Sequence, residues 1–504
     1  MAKKAKKEKR AARKDTSLLE RASTLPVWKQ GVLIFAVAMA ARFILDLLFM
    51  LNYGWHAVNH IETWFYYGVA KGTHLPAHGL MDPTVWILRL WSFLPGELPF
   101  YGVLATSLIL SSLTAVALFL LAKEEYNSKT GLYAGLIYAL MVEPLALSLM
   151  GFTHDHLQLL LIVLALLTTV KAVKTSGTWM VVYAAAFLLI VYLGLHINTV
   201  IKIAVGACAV YVVSYLVSKR VSKEAYQKYL IALMVCIAFV GFTVIPGVIE
   251  GSLELMPQGR SGSVDLAPID LSNLWLRFNV LLIMLPLALL VGYGLRDVNG
   301  LTLTLVGLVL CTVMDRGVRI LDLGIAVLTA HLLANWSDKF NKVFAGLACL
   351  VFLLFLTQAA TSITYQAIFL AAGAAMIFVA FKISGNLKTQ YMLIILLAVG
   401  FLANILFVFT ADAKKIAPEA EYTIFKWLET QGVKGKVLVG WDQGYYLEAL
   451  TGLHAVSTPN TIKYALHDAL WLPEGQAALE LKRGGVEYLV VTDRNFNIIR
   501  RGNR

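Results

Sequence analysis

The sequence predicts a mainly α-helical protein that crosses a membrane many times and ends in a small α/β domain. Of its 504 residues, 59% are hydrophobic and only 15% are charged, whereas soluble domains carry roughly 25% charged residues. The mean hydropathy is +0.71. Because so few charged side chains cannot solvate the whole surface, lipid must cover much of it. A soluble enzyme is therefore excluded.

A basic tail, residues 1–26, opens the chain, and its first residues are almost all Lys, Arg, Ala or Glu. Cytoplasmic segments of membrane proteins collect Lys and Arg, so we predict that this tail lies in the cytoplasm and touches anionic membrane lipid. A basic tail can also bind nucleic acid, but its position beside a first span favours an orientation signal, and we expect no nucleic-acid partner. The first apolar run has the length of a span, so we expect no cleaved signal peptide.

About thirteen apolar runs of near-span length form a predicted transmembrane domain over residues 27–410. Alternate loops between the runs carry Lys and Arg, which assigns those loops and the N-terminus to the cytoplasm and the C-terminus to the outside. We therefore predict a multi-pass protein of the cytoplasmic membrane. The runs cover residues 27–51, 98–121, 131–150, 156–170, 179–195, 200–217, 229–249, 278–295, 301–314, 318–334, 343–356, 365–381 and 391–409.

Three segments interrupt the helical pattern, and all three lie outside under this topology. They are the outer loops 52–97 and 250–277 and the C-terminal segment 411–504. The composition of the last segment changes to that of a soluble domain, which we predict to be a small extracytoplasmic α/β domain. Its predicted elements are a helix at 418–431, a strand at 436–439, helices at 445–450 and 462–470, and a buried strand at 487–493.

A carboxylate among aromatic residues follows the first span. Glu62 lies just before the aromatic sequence Trp64-Phe65-Tyr66-Tyr67. An acid among aromatics at a membrane surface suits a cation or a sugar. The same pattern is typical of a helix start with interfacial aromatic anchors, so both interpretations stay open.

A His-Asp-His sequence lies between the third and fourth predicted spans. His154 and His156 flank Asp155 at the mouth of an apolar helix. Neutral imidazole is a common metal ligand, and both rings reach one side if the backbone is extended there. The alternative is a capped helix start, where Asp155 is favourable.

Two further groups of charged residues lie at the outer ends of later spans. Glu254 is an acid in the second outer loop. Arg316 and Arg319 lie at the outer end of the span 318–334, with Asp322 one turn below. They suggest either an internal Arg–Asp pair that helps this helix pack or a clamp for a phosphate at the membrane surface.

In the C-terminal domain, the strand at 436–439 runs into Gly440-Trp441-Asp442. This turn displays an indole and a carboxylate, which suits recognition of a hydroxyl or an amide in a peptide, or it is an ordinary turn with a packed Trp. The candidate site residues all map to the outer face: Glu62, the His-Asp-His sequence, Glu254, Arg316, Arg319 and this Trp-Asp turn. Acids and imidazoles for a metal, arginines for a phosphate and an aromatic–acid pair together make a candidate enzyme site.

These motifs resemble those of the catalytic subunit of oligosaccharyltransferases, membrane glycosyltransferases of the GT-C class. Residues 440–445 resemble the family signature Trp-Trp-Asp-Tyr-Gly-Tyr, and residues 62–67 resemble its acidic-Pro-Trp-Phe-x-Tyr motif. Glu254 falls on the family's loop glutamate, and Arg319 on the arginine that contacts the lipid pyrophosphate. The resemblance implies a GT-C fold and transfer of a glycan from a polyprenyl (pyro)phosphate lipid to an Asn of an extracytoplasmic polypeptide.

The resemblance also implies a divalent metal as cofactor, Mn²⁺ or Mg²⁺. Glu62 would ligate it and orient the acceptor amide, with His154 and His156 as further ligands and Asp155 as an alternative. The family has Asp-x-Glu where this chain has His154-Asp155-His156, and the two imidazoles make Zn²⁺ a further candidate.

The remaining residues take their roles from the same resemblance. Arg319, with Arg316, would hold the lipid phosphate, and Glu254 would secure the acceptor beside the metal. Trp441 and Asp442 would bind the acceptor side chain, although Gly440 and Gln443 replace the first Trp and the Tyr of the family signature.

These replacements keep two alternatives open. One is a GT-C lipid-sugar transferase with a different acceptor. The other is a catalytically silent paralogue that acts as a scaffold in a membrane complex. A transporter is disfavoured because the functional groups cluster at one face rather than at the midplane.

Overall fold

The structure is a computed structural model, and it describes part of the chain. The described residues are 18–58, 60, 62–76, 79–197, 200–254, 278, 280–311, 317–335, 398, 402, 419–432, 434–440, 443–458, 461–462 and 473–491. They form a bundle of helices followed by a small α/β domain.

Fourteen helices precede the C-terminal domain in the described part of the chain. They are α1 Leu18–Ser23, α2 Val27–Tyr53, α3 Glu62–Lys71, α4 Pro83–Arg89, α5 Leu98–Glu125, α6 Ser128–Leu140, α7 Val142–Ser148, α8 Asp155–Lys174, α9 Thr178–Leu195, α10 Ile201–Ser218, α11 Lys223–Glu254, α12 Val280–Leu295, α13 Val298–Cys311 and α14 Val318–Ala334.

The helices follow the predicted apolar runs closely. Each run from 27–51 to 318–334 falls on a helix, and the last of these coincides with α14. Among the described residues, 5 helices are long and apolar enough to cross a membrane by length and composition: α2, α5, α8, α9 and α10. The runs 343–356, 365–381 and 391–409 lie outside the described residues apart from residues 398 and 402. The count of thirteen spans therefore stays a prediction.

The run 131–150 differs from the prediction because it forms two helices rather than one. Met141 separates α6 from α7 with an extended backbone, φ −65° and ψ 149°. Pro144 lies in the first turn of α7. Its nitrogen carries no hydrogen and cannot bond back to the end of α6. The break lets the chain turn towards the loop that precedes α8.

Helix α5 lies at the centre of the described bundle and packs against α2, α6 and α8, while α14 packs against α6 and α13. Their buried aliphatic side chains form one large core. Helix α9 instead exposes nearly its whole length, with Trp179 and Leu188 more than half exposed. That pattern is expected of a helix whose partner is lipid.

The C-terminal part is a small α/β domain, as predicted. Its elements are α15 Glu419–Thr430, β1 Lys436–Leu438, α16 Gly444–Thr451, β2 His454–Ala455, β3 Ser457–Thr458, β4 Thr461–Ile462, α17 Glu474–Arg483 and β5 Val486–Leu489. A three-stranded sheet has the order β2-β1-β5 with parallel pairing, and β3 pairs with β4 antiparallel.

Two predictions for this domain need correction. Ile462 was expected to begin a helix, but it belongs to β4, and residues 463–470 lie outside the described part. The strand expected at 487–493 begins one residue earlier, at Val486, and lies at the edge of its sheet, so that Tyr488 and Leu489 are exposed rather than buried. The sequence run is apolar, but an edge position leaves it partly uncovered.

Helix α3 joins the two parts. Tyr66, Val69 and Ala70 on one side of it belong to the core of the bundle. Trp64 and Tyr67 belong to a second core that includes side chains of the C-terminal domain. The rings of Trp64 and Tyr446 are 4.0 Å apart between centroids. The C-terminal domain therefore packs directly on the first outer loop, through α16.

Candidate active site

The first two predicted site residues meet at the start of α3. Glu62 is the first residue of this helix, where a carboxylate is favoured by the partial positive charge of the N-terminus. Its Oε2 lies 3.1 Å from His154 Nδ1, on the residue before α8. The Glu62 side chain keeps 30% of its surface exposed. It can therefore meet a ligand from outside.

Asp155 and Arg319 continue this group. His154 Nε2 is 3.6 Å from Asp155 Oδ1, and the Asp155 carboxylate forms an ion pair with the Arg319 guanidinium. Asp155 is the first residue of α8 and Arg319 the second residue of α14. The structure thus brings Glu62, His154, Asp155 and Arg319 into one continuous group.

Three helices begin at this group: α3, α8 and α14. Each N-terminus carries backbone N–H groups without partners inside its helix and a partial positive charge. Three such ends beside one guanidinium favour a negatively charged ligand. The carboxylates of Glu62 and Asp155 balance part of this charge.

His156 does not join the group through an extended backbone. His154 has helical dihedral angles, φ −58° and ψ −21°, and α8 begins at the next residue. His156 is buried and stacks on Phe152, with 5.5 Å between ring centroids. Its Nδ1 lies 2.9 Å from the Thr153 carbonyl oxygen, whereas its buried Nε2 has no hydrogen-bond partner among the described residues.

The proposed metal ligands do not form a preassembled site. Among the residues that the structure describes, no three His, Cys, Asp or Glu side chains are grouped so that they could hold a metal ion. Glu62 is instead paired with His154, and Asp155 with Arg319. The metal and its ligands therefore stay predictions, and we assign no chemical step to a metal.

The side chains of four predicted site residues lie outside the described part of the structure. Arg316, Trp441 and Asp442 lie outside the described residues. Glu254 is the last residue of α11, and its side chain belongs to the part that is left undescribed. Their roles stay predictions.

Gln443 follows the Trp-Asp turn and lies within the described part of the chain. Gln443 is buried, and its side-chain amide donates to Glu421 Oε1 on α15, 2.7 Å away. Gln443 is also the residue before α16. The turn that carries Trp441 and Asp442 is therefore fixed at its end by a buried hydrogen bond.

A second polar cluster, which the sequence did not indicate, lies at the joint between α5 and α15. Glu97 accepts hydrogen bonds from the Tyr422 hydroxyl and from Lys426 Nζ, the latter at 3.0 Å, and lies 3.1 Å from His56 Nε2. His56 stacks on Tyr422 with ring centroids 3.7 Å apart. Glu97 is an isolated acid in the sequence, and its partners are distant: His56 lies 41 residues before it and Tyr422 lies 325 residues after it. No local signal could therefore have revealed this cluster.

Hydrogen bonding controls the charge of this cluster. Burial by itself raises the pKa of Glu97, but the hydrogen bonds from Tyr422, Lys426 and His56 outweigh it and hold the pKa below its ordinary value. Burial lowers the pKa of Lys426, but its hydrogen bond to Glu97 raises it overall. The two side chains therefore remain ionised at neutral pH and join the first outer loop to the C-terminal domain.

Comparison with known proteins supports the same class of protein. Residues 82–245 match a protein-family model described as dolichyl-phosphate-mannose-protein mannosyltransferase. No curated protein sequence matches the chain. Both the family and the structural neighbours described next are glycosyltransferases, and together they support transfer of a lipid-linked glycan as the general activity.

Solved structures of an archaeal oligosaccharyltransferase from Archaeoglobus fulgidus are among those that match. The form tethered to an acceptor peptide with the NVT sequon has a TM-score of 0.56 at 14% identity and covers 92% of this chain and 69% of that chain. The apo form has a TM-score of 0.54 at 13% identity with the same coverage. A complex with an inhibitory peptide and a dolichol-phosphate has a TM-score of 0.53 at 13% identity and covers 91% and 69%.

At this identity the structural likeness establishes the fold. The predicted GT-C fold and the predicted resemblance are confirmed by the helical bundle, the small α/β domain and the structural matches. The predicted glycosyltransferase class agrees with the family model over residues 82–245. The chain has the GT-C fold of membrane glycosyltransferases, and it resembles the catalytic subunit of oligosaccharyltransferases.

Proposed function

We propose that this protein transfers a glycan from a polyprenyl (pyro)phosphate lipid to the side-chain amide of Asn in polypeptides outside the cell membrane. The observation that carries the proposal is the group of Glu62, His154, Asp155 and Arg319, which three helix N-termini bring together. The C-terminal domain packs on the same outer loop. An acceptor bound by that domain would lie beside Glu62.

The reaction breaks the bond between the sugar C1 and a phosphate oxygen and forms a bond between C1 and the acceptor amide nitrogen. The electron pair of the broken bond stays on the phosphate oxygen. Arg319 would stabilise this developing charge, helped by the N-terminal amides of α8 and α14. Asp155 holds the Arg319 guanidinium in place through their ion pair.

Glu62 would accept a hydrogen bond from the acceptor amide and orient its nitrogen towards the sugar. Its carboxylate is partly exposed and is held from behind by His154. The amide proton would leave as the new bond forms, and Glu62, which is more exposed than Asp155, would accept it. Holding both reactants in line is a large part of such catalysis, because positioning alone can supply about 7–11 kcal/mol of the barrier.

The remaining predicted residues belong to the same proposal. Arg316 would assist Arg319 at the phosphate, and Glu254 would secure the acceptor. Trp441 and Asp442 would bind the acceptor side chain from the C-terminal domain. A divalent ion, Mn²⁺, Mg²⁺ or Zn²⁺, held by Glu62 with the His154–His156 segment, remains part of the prediction.

The structural neighbours support these substrate classes by analogy. One neighbour was solved with an acceptor peptide that contains the NVT sequon, and another with a dolichol-phosphate. Those ligands belong to the archaeal enzyme. They agree with a lipid donor and a polypeptide acceptor for this chain.

A second candidate differs in donor and acceptor. The family model over residues 82–245 is named for transfer of mannose from dolichyl phosphate to protein. A single sugar on a monophosphate lipid, delivered to an acceptor other than Asn, would use the same anion-binding helix ends. A silent scaffold is the non-enzymatic alternative, and it predicts no transfer from either donor.

The test is transfer of a labelled lipid-linked glycan extract to Asn-x-Thr peptides by the purified full-length protein, with and without added Mn²⁺ or Zn²⁺. We expect labelled glycopeptide from the native protein and none from the variants Glu62→Ala and Asp442→Ala. Label on peptides that lack Asn would favour the second candidate. Binding of the lipid without any transfer would contradict both enzymatic proposals.

A further inference from the structure

The loop between α7 and α8 carries the two site residues His154 and Asp155, and it has an unusual backbone. Met150 has φ 41°, in the left-handed region that side chains other than glycine rarely adopt. Residues 150–153 are all buried. A buried backbone with this conformation persists only if its surroundings hold it.

Two side chains from other helices bond to this backbone. Asp46, on α2, accepts a hydrogen bond from the Met150 amide at 2.8 Å. Thr63, on α3 and next to Glu62, accepts one from the Phe152 amide through its hydroxyl at 3.0 Å. Both acceptors are buried, so water cannot replace them at these amides.

The other two residues of the loop 150–153, Gly151 and Thr153, are restrained as well. A Cβ atom at Gly151 would lie 2.5 Å from His60 Cδ2, so the imidazole packs where a side chain would begin. The Thr153 amide is 3.1 Å from His156 Nδ1. Each of the four residues before His154 is therefore fixed by a side chain from outside the loop or from the start of α8.

We infer that Asp46 and Thr63 are positioning residues for glycan transfer. They set the loop 150–153 so that His154 meets Glu62 and Asp155 meets Arg319. Neither residue touches the reacting atoms. Thr63 lies on the helix that begins with Glu62, and it bonds to the loop that leads to His154. Its hydrogen bond therefore fixes Glu62 and His154 relative to each other. This inference rests on the proposed function.

The experiment uses two substitutions at each position. Asp46→Leu and Thr63→Val remove the acceptor oxygen at similar size, whereas Asp46→Asn and Thr63→Ser keep an oxygen that can accept the same hydrogen bond. Thr114→Val is the control, because Thr114 is a buried hydroxyl of α5 that bonds to its own helix at Leu110.

Steady-state transfer to an Asn-x-Thr peptide is the first readout. For Asp46→Leu and Thr63→Val we expect kcat to fall by about tenfold to a hundredfold, the size of effect that a misplacement of about 1 Å produces. The KM for peptide should change little, because the C-terminal domain that would bind it is untouched. Asp46→Asn and Thr63→Ser should recover most of the rate, and Thr114→Val should retain it.

Hydrogen exchange of the full-length protein is the second readout, and it does not depend on activity. We expect faster exchange confined to a peptide over 149–153 in Asp46→Leu and Thr63→Val, with native exchange in the oxygen-keeping variants. If exchange rises across the whole bundle, or if kcat is unchanged while the loop exchanges faster, the positioning role is wrong. If the native protein transfers nothing, the proposed function fails, and the exchange pattern still decides whether these two side chains hold the loop.

Discussion

The two ends of helix α14 carry buried ionic groups of opposite character. At its N-terminal end, which is the outer end under the predicted topology, Arg319 pairs with Asp155 beside a partly exposed Glu62. At its C-terminal end, the inner end under that topology, His331 Nδ1 lies 3.1 Å from Asp297 Oδ2, and Asp297 is fully buried. The same helix therefore holds one ionic group that is open to ligands and one that is closed.

Both carboxylate oxygens of Asp297 in the inner group already have partners within the protein. Asp297 accepts hydrogen bonds from the Tyr126 hydroxyl and from the Gly300 amide at 2.7 Å, in addition to its contact with His331. The Gly300 contact caps the start of α13. These contacts serve the packing of helices, and full burial keeps the carboxylate out of reach of a substrate. The outer group instead keeps a partly exposed carboxylate, that of Glu62.

The two ends of α14 show how a buried acid in a membrane protein can be assigned to function or to packing. Burial and an ionic partner are common to both groups, so neither distinguishes function from packing. What distinguishes the outer group is that it includes a carboxylate that a ligand can reach, whereas the inner group does not. A substitution at the outer end should therefore lower activity and keep stability, and one at the inner end should do the reverse.

The largest expected effect is at the outer end. Glu62→Gln should lower kcat for transfer by about a hundredfold or more, the loss typical for one preorganised polar group at a reacting centre. Its unfolding temperature should stay near that of the native protein, because the side chain is partly exposed. Glycopeptide formation and thermal unfolding measure the two quantities.

Glu124→Gln is the matched control for this prediction. Glu124 is a partly exposed acid near the inner end of α5, paired with Lys123. It should leave both transfer and unfolding unchanged. Equal loss of transfer in both variants would show that the outer group has no special role.

The second largest effect is expected at the inner end, where a substitution should lower stability and leave kcat unchanged. Asp297→Ala removes the acceptor of three hydrogen bonds from a fully buried position and should lower the free energy of unfolding by about 3 kcal/mol. The kcat of the protein that remains folded should be native at a temperature well below unfolding. Thermal unfolding in detergent, together with transfer per folded molecule, tests this prediction.

A native unfolding temperature in Asp297→Ala would contradict the structural assignment. A large fall in kcat without a fall in stability would mean that the inner group acts in catalysis. Either result would remove the distinction between the two ends of α14.

The smallest effect concerns the cluster at Glu97. Because the pKa of Glu97 is lowered in the folded state, its stabilising contribution is fully present above its unfolded pKa and is lost as the pH falls through the folded value. Lys426, with a raised pKa, contributes below its unfolded value and loses its contribution at high pH. The pair should therefore stabilise the joint across neutral pH by less than about 1 kcal/mol.

The measurement is the unfolding temperature as a function of pH for the native protein and Glu97→Gln. The difference between the two should be present at neutral pH and should shrink in acid. A difference that is constant across the acid range would mean that ionisation of Glu97 does not stabilise the joint.

Much of the fold follows from the sequence because the signals are local and strong. The apolar runs up to 318–334 mark the long described helices. They do not mark the break at Met141, since a single Pro144 in an apolar run is a weak boundary signal, or the helices α3 and α4 inside the predicted outer loop 52–97. The edge strand at Val486 was misjudged as buried, because its exposure depends on where the sheet ends. Burial of that kind is a property of the assembled domain.

The candidate site is less predictable. The sequence indicates Glu62, His154, Asp155 and Arg319, since acids and imidazoles stand out in an apolar chain. It cannot tell that Asp155 pairs with Arg319 or that His156 turns towards Thr153, because these contacts depend on the dihedral angles at the start of α8. It also hides Thr63, an ordinary residue whose partner is 89 positions away.

Helix α3 has one consequence for how movement spreads through the molecule. It is a cylinder of 10 residues with one side set in the core of the bundle and the other in the core shared with the C-terminal domain. Glu62 is the first residue of this helix, so a tilt of the C-terminal domain against the bundle would tilt the helix and displace the Glu62 side chain. We expect strain applied to the C-terminal domain to change the direction of the carboxylate before it loosens either core.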